Sequence, residues 1–276
     1  MPKIAKISVQ RKNKERYNIY FEQKGEGEYA FSVDAHTLTQ FRLTKGLELS
    51  DFDIQDIQYQ DGVRRAIHHA ISFLSIRMRT EKEVRTYLKQ KDYSEEVIQE
   101  AITYCLQQKY INERDFAFAF VRTDVATKDW GPGAVRRRLY EKGISLQLTE
   151  EALGEYPVET AIEKAMAIVE KALASMKKES NIQRKQKCME RLQQKGYDHA
   201  CIQTALETVD WTQSEEEEAD VVQAWVEKLM WKYRQHEGFQ RESKVKQALY
   251  RKGFSLERID QALQEWKEEN EHGETV

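Results

Sequence analysis

The spacing of apolar residues changes near residue 60. Before it, Ile4, Ile7 and Val9, then Tyr17 to Phe21, then Tyr29 to Val33 form short runs with partial alternation, the pattern of half-buried strands. Lys12-Asn13-Lys14 and Lys24-Gly25-Glu26-Gly27 suit the turns between them. Asp34 is placed to cap a short helix through Leu38 and Phe41 that ends near Gly46, and Ser50 to cap another through Phe52, Ile54 and Ile57. Residues 1–60 therefore read as a small β-containing N-terminal cap.

Beyond it the chain repeats itself. Four nineteen-residue segments align without a gap: VRTYLKQKDYSEEVIQEAI from Val84, VRRRLYEKGISLQLTEEAL from Val135, CMERLQQKGYDHACIQTAL from Cys188 and VKQALYRKGFSLERIDQAL from Val245. Their starts lie 51, 53 and 57 residues apart, which implies an array of similar units. Each column has a physical task. The first residue and the Leu four later (Leu88, Leu139, Leu192, Leu249) share a helix face. Lys91, Lys142, Lys195 and Lys252 fall at that helix's C-terminus, where a cation suits the dipole. Gly143, Gly196 and Gly253 follow as left-handed caps, with Asp92 in their place in the first unit.

Tyr93, Ile144, Tyr197 or Phe254 then packs beneath the turn, and Ser94, Ser145, Asp198 or Ser255 caps the next helix. That helix carries Ala101-Ile102, Ala152-Leu153, Ala205-Leu206 or Ala262-Leu263, with a further buried residue expected at Cys105, Tyr156, Val209 and Trp266. A third helix precedes each pair, marked by Val63 to Leu74, by Phe116, Ala119 and Phe120, by Ala161 to Met176, and by Ala219 to Tyr233. The expected fold is mainly α: a tandem array of four three-helix repeats, elongated or curved, behind the N-terminal cap. The predicted repeats are 61–110, 111–156, 157–212 and 213–276.

Composition sharpens this. With 12 Gly and 3 Pro, turn-rich all-β architectures are disfavoured. No apolar run approaches the roughly 18–20 residues that span a bilayer, and Met1 to Gln10 lacks the apolar core of a secretory signal. Cys105, Cys188 and Cys201 have no CxxC spacing and fall in helical patterns, so buried free thiols in a reducing cytoplasm are expected. The net charge of -3 excludes a generic polyanion binder; six Lys/Arg against one Glu mark residues 1–16, and ten Lys/Arg against fifteen Asp/Glu mark 213–276. There is no P-loop, HExxH or GxSxG, and the adjacent His68-His69 cannot share a helix face. No catalytic or metal-binding set emerges, and no cofactor is expected.

Three ordered signatures carry a resemblance: Leu74-Ser75-Ile76-Arg77-Met78-Arg79-Thr80-Glu81-Lys82-Glu83-Val84; Ile111-Asn112-Glu113-Arg114-Asp115-Phe116-Ala117; and Trp130-Gly131-Pro132 through Val135, Leu139 and Lys142-Gly143-Ile144. Together, inside this repeat, they are similar to the RecX family, and the basic N-terminal hairpin resembles its longer Gram-positive members. The fourth unit goes beyond the family's short three-unit form. The resemblance implies a regulator in homologous recombination, DNA repair and the SOS response that lies along the RecA nucleoprotein filament. It further implies tuning, expected as inhibition, of RecA's ATPase, strand exchange and coprotease activities. Some members also contact DNA. An elongated monomer that is not an enzyme is the expectation. Two other readings stay open: a DNA-binding helical-repeat protein, and a generic helical scaffold.

The candidate partner- or DNA-binding residues are basic. Arg77, Arg79 and Arg85 surround the second helix of the first unit; Arg136, Arg137, Arg138 and Lys142 follow the Trp130-Gly131-Pro132 entry; Arg11, Lys12, Lys14 and Arg16 occupy the predicted N-terminal turn. Three consecutive arginines sweep about 300° of a helix, so they cannot all face a core. Either they form a solvated face paired locally with Glu141 and Glu83, or they serve as forks for phosphate or carboxylate. Reversing Arg136 and Arg138 is then expected to weaken partner binding without unfolding the protein. Trp130, Gly131, Pro132, Leu139 and Gly143 are expected to be structural, with Trp130 a wedge at a helix start.

Overall fold

In the computed structural model, residues 1–11, 13–23, 26–177, 179–211 and 215–273 are described. The N-terminal apolar runs form β1 (Ile4–Val9), β2 (Arg16–Gln23) and β3 (Glu26–Asp34), an antiparallel sheet in sequence order. Ile19 pairs with Ile7 on one side and Phe31 on the other. The buried face gathers Ile4, Ile19, Phe31 and Val33 against Leu43, Leu49 and Ile57. Asp34 caps α1 (Ala35–Gln40) by accepting the Thr37 N–H at 2.6 Å. The first predicted turn includes Lys12 and the second Lys24 and Gly25, which lie outside the described residues.

Ser50 caps as expected, with Asp53 completing a capping box, but the helix does not stop at residue 60. A single 24-residue helix, α2 (Asp51–Leu74), merges the cap's last helix with the first helix of the repeat. The reason is Asp61. Its carboxylate, 2% exposed within the helix, accepts Arg16 at 2.9 and 3.2 Å and the Asp34 backbone N–H at 2.8 Å, with Arg65 at 3.2 Å. Gly62 continues the helix beside Val97, where even a Cβ would find ordinary contact at 3.9 Å. Asp61 is thus a hydrogen-bonding hub that fastens the sheet to α2.

Three helices then recur. α2, α3 (Glu81–Lys89) and α4 (Glu95–Gln107) enclose a core that includes Val63, Ile67, Val84, Leu88, Ile98, Ile102 and Cys105. α5 (Glu113–Thr127), α6 (Pro132–Glu141) and α7 (Leu146–Leu153) follow, then α8 (Val158–Leu173), α9 (Asn181–Gln194) and α10 (His199–Thr208). α11 (Glu215–Lys232), α12 (Gly238–Arg251) and α13 (Leu256–Gly273) pack around Val222, Val226, Val245, Leu249, Phe254 and Ile259. Leu88, Leu139, Leu192 and Leu249 all have no exposed surface, and Asp92, Gly143, Gly196 and Gly253 have φ of 60°, 88°, 84° and 86°. Each predicted cap accepts the N–H three residues on, at Val97, Leu148, Cys201 and Arg258. Val209 and Trp266 are half-buried rather than buried, whereas Cys105 and Tyr156 are enclosed. All three cysteines are free and buried, and burial pushes the Cys105 and Cys201 thiols up to about 11.

The chain folds into two compact units, one of Met1–Ala117 with Leu139–Leu148, the other of Phe118–Arg138 with Thr149–Val276. Within each unit one arrangement recurs: the start of a second helix meets the glycine turn of the following triplet. In the first unit Lys82 donates to the Glu141 carbonyl at 2.8 Å, and a Cβ on Gly143 would come within 3.0 Å of the Lys82 side chain. In the second, the Gly131 and Gly133 N–H groups donate to the Lys195 and Gly196 carbonyls at 2.8 and 2.9 Å. Ser180 likewise donates to the Lys252 carbonyl beside Gly253.

Candidate functional site

α3 begins at Thr80, whose hydroxyl accepts the Glu83 N–H while Glu83 accepts the Thr80 N–H, a reciprocal cap. Around that start the first unit gathers several predicted cations. Arg77 and Lys142 reach the same Glu83 oxygen at 3.2 and 3.0 Å. Burial alone would raise the Glu83 carboxyl, but hydrogen bonds from Lys142, the Thr80 N–H and Arg77 outweigh it and hold it below the ordinary carboxylate value. Arg85 is taken up by Glu81, Glu95 and Gln99. Arg79 instead lies over the Phe73 ring, 4.0 Å from its centroid. A groove of about 380 Å³ runs here, lined by Phe73, Arg79, Lys82, Glu83, Tyr87 and Lys142 among others.

In the second unit Pro132 opens α6, where a missing N–H costs nothing. Arg136 forms a two-pronged pair with Glu150 at 2.5 and 3.0 Å, and Arg138 pairs with Asp124 while resting over Phe120 at 4.9 Å. Both partners lie fourteen residues away, on α7 and α5, so the expected local pairing of this run with Glu141 is corrected. Asp124 is only 5% exposed, so reversing Arg138 would set two carboxylates together in a buried place. Reversing Arg138 is therefore expected to cost stability, whereas Arg136 faces a half-exposed Glu150. Arg137 is exposed and makes no ion pair among the described residues. Arg136 is exposed too, so what sets Arg137 apart among the three is that no carboxylate among the described residues pairs with it.

Trp130 is 37% exposed; its carbonyl accepts the Tyr156 hydroxyl at 2.8 Å and Lys195 lies over its ring at 5.5 Å. Gly131 is buried, in a place where a Cβ would meet the Tyr197 N at 2.5 Å. Of the N-terminal cations, Arg11 and Lys14 are exposed and Lys12 lies outside the described residues. Arg16 is corrected: it opens β2 rather than sitting in a turn, and Asp61 and Ser32 consume its guanidinium. The groove residues Phe73, Lys82 and Tyr87 are not among the candidate binding residues read from the sequence. No spacing signals a stack between residues on different helices.

Likeness to known families decides what this arrangement is. The model for the regulatory protein RecX N-terminal domain matches residues 2–50, and those for the RecX first and second three-helix domains match 66–105 and 112–153. The model for the third matches twice, at 159–206 and 215–263. The chain belongs to the RecX family. The chain is 43% identical over 265 residues to the regulatory protein RecX of Bacillus subtilis, covering 96% of this chain and 99% of that one. With RecX of Halalkalibacterium halodurans the identity is 41% over 261 residues, covering 94% and 98%. A crystal structure of regulatory protein RecX superposes with a TM-score of 0.65 at 32% identity, over 75% of this chain and all of that one. RecX from Lactobacillus salivarius superposes at 0.52 and 29%, over 55% and 99%.

As a RecX-family chain it is a regulatory protein, and its fourth triplet is a second copy of the third RecX domain. Among the described residues no helix is long and apolar enough to cross a membrane. The RecX signatures fall at the joints of the fold. The first runs from the end of α2 into α3, the second enters α5, and the third is the stretch that opens α6.

Proposed function

We propose that this chain binds the RecA nucleoprotein filament and lowers its ATPase, strand-exchange and coprotease activities, as a cytoplasmic monomer without chemistry of its own. The observation that carries the reading is the division of labour on α6. Arg136 and Arg138 are tied to Glu150 and Asp124, which fixes the helix, and Arg137 is left exposed between them. Around α3, Arg77, Arg79 and Lys142 add a second cationic surface. Family membership supplies the regulatory role, and the polar, charged character of both surfaces suits a polymeric partner rather than a small substrate.

The test is the DNA-dependent ATPase of the cognate RecA on single-stranded DNA, with this chain added below stoichiometry. The expected result is a fall in turnover at ratios too low to coat the DNA, and a loss of potency of about tenfold for Arg137→Glu with an unchanged melting curve. An unchanged ATPase with folded protein would remove the reading.

A further inference from the structure

The groove beside α3 is built around an arginine that holds nothing. The Arg79 guanidinium and the Tyr87 ring both lie about 4 Å from the Phe73 centroid, at 4.0 and 4.1 Å, and the two rings are parallel to within 6°. Two planar groups so close to one ring must occupy its opposite faces. Phe73 is thus held between Tyr87 and the Arg79 cation, which restrains where the guanidinium sits. Yet Arg79 makes no hydrogen bond or ion pair among the described residues, and its Nε is buried without a partner. Arg77, Arg85, Arg136 and Arg138 all have carboxylates. The Nε is enclosed, so the terminal Nη groups of this half-buried arginine are the donors that an acceptor from outside can meet.

Two glutamates line the groove, Glu83 and Glu141, and Glu83 is already engaged. One Glu83 oxygen accepts Arg77 and Lys142, and the other accepts the Thr80 N–H. Lys82 donates to the Glu141 backbone carbonyl and makes no ion pair among the described residues, so Arg79, Lys82 and Lys142 outnumber the two glutamates. The site therefore offers a flat two-pronged donor and a nearby ammonium. Phe73 has no face left for a nucleic-acid base, and Tyr87 shares its surroundings with the Lys91 ammonium at 5.7 Å. With Phe73 covered, the groove offers charge in place of an open Phe73 face, which favours a protein acid over a stacked nucleotide.

We propose that this groove takes the carboxylate of an Asp or Glu in an acidic segment of a protein partner. Arg79 grips both oxygens and Lys82 adds the second charge. This rests on the filament-binding reading, since it names how one of that reading's surfaces engages its partner.

The experiment uses the full chain and two labelled probes, a hexaglutamate peptide and an oligothymidylate of equal length, followed by fluorescence anisotropy at low salt. Arg79→Gln should weaken the peptide by about tenfold, and Arg79→Lys, which keeps charge but loses the fork, by roughly threefold or more. Arg122→Gln, at an arginine paired with Glu155, should leave it unchanged, and oligothymidylate should not respond to Arg79. Equal peptide affinity in Arg79→Gln, no peptide binding by the unaltered chain, or an Arg79 dependence seen with oligothymidylate alone would overturn the proposal. Should Arg79→Gln misfold, Lys82→Gln replaces it, with a loss of about threefold expected and no loss overturning the idea.

The RecA ATPase run in parallel separates the two readings. Inhibition by a chain whose peptide binding ignores Arg79 discards the groove alone. Arg79-dependent peptide binding without any effect on RecA discards the filament reading alone.

Discussion

Thr149 stands where the other three repeats have Ile98, Ile202 and Ile259. It is 1% exposed, and its hydroxyl finds no partner among the described residues. Burying a hydroxyl without a hydrogen bond is unfavourable, whereas a methyl in the same space is not. Thr149→Val should therefore raise stability by about 1 kcal/mol, read as a higher urea midpoint with an unchanged slope; a lower midpoint would mean the hydroxyl is satisfied. Position 92 presents another exception. Asp92 holds φ 60° where Gly143, Gly196 and Gly253 hold φ near 86°. Conformation alone explains glycine weakly, because Asp manages the same turn. The close approach of another triplet explains it better: Ala134 packs on Gly196 and Ile182 on Gly253, while no triplet precedes the turn at Asp92.

That difference gives a prediction at the scale of elements. Gly196→Ala drives a Cβ into the Ala134 backbone and should cost about 3 kcal/mol or more, whereas Asp92→Gly should change stability by under about 1 kcal/mol. Equal effects in thermal melts would show that the turns do not differ in their surroundings. A second prediction concerns the link between α3 and the turn after α6. The Glu83 carboxyl is held below its ordinary value of 4.5, so its contribution is complete above that value and lost as pH falls through the lowered one. Glu83→Gln should be less stable than the parent at neutral pH, and the gap should narrow on acidification; a gap of constant size at every pH down to acid unfolding would contradict this. The repeated helices, caps and left-handed turns were legible because each depends on residues within about four positions. The length of α2, the strand position of Arg16 and the partners of Arg136 and Arg138 were not. Each depends on a carboxylate, at Asp61, Glu150 or Asp124, that reaches its cation only after folding. The same holds for the candidate site: the basic residues were visible, but which of them is unpaired was not.

Over the whole molecule, a net charge of -3 works against sequence-independent binding to the like-charged phosphates of DNA. Without RecA, duplex DNA should bind no tighter than about 1 μM at physiological salt, with a log–log salt slope shallower than about -4. A steep slope in anisotropy titrations would revive the reading of an independent DNA-binding protein, with exposed Arg11 and Lys14 as the first residues to examine. The buried thiols have a different use. Cys105 is enclosed by α2, α3 and α4, and Cys188 and Cys201 lie buried on α9 and α10. An alkylating reagent meets Cys105 only when the first triplet parts, and the other two only when the third does. The native chain thus carries its own clocks: timed iodoacetamide quenching, read peptide by peptide, would give the lifetime of each closed triplet without a label being added.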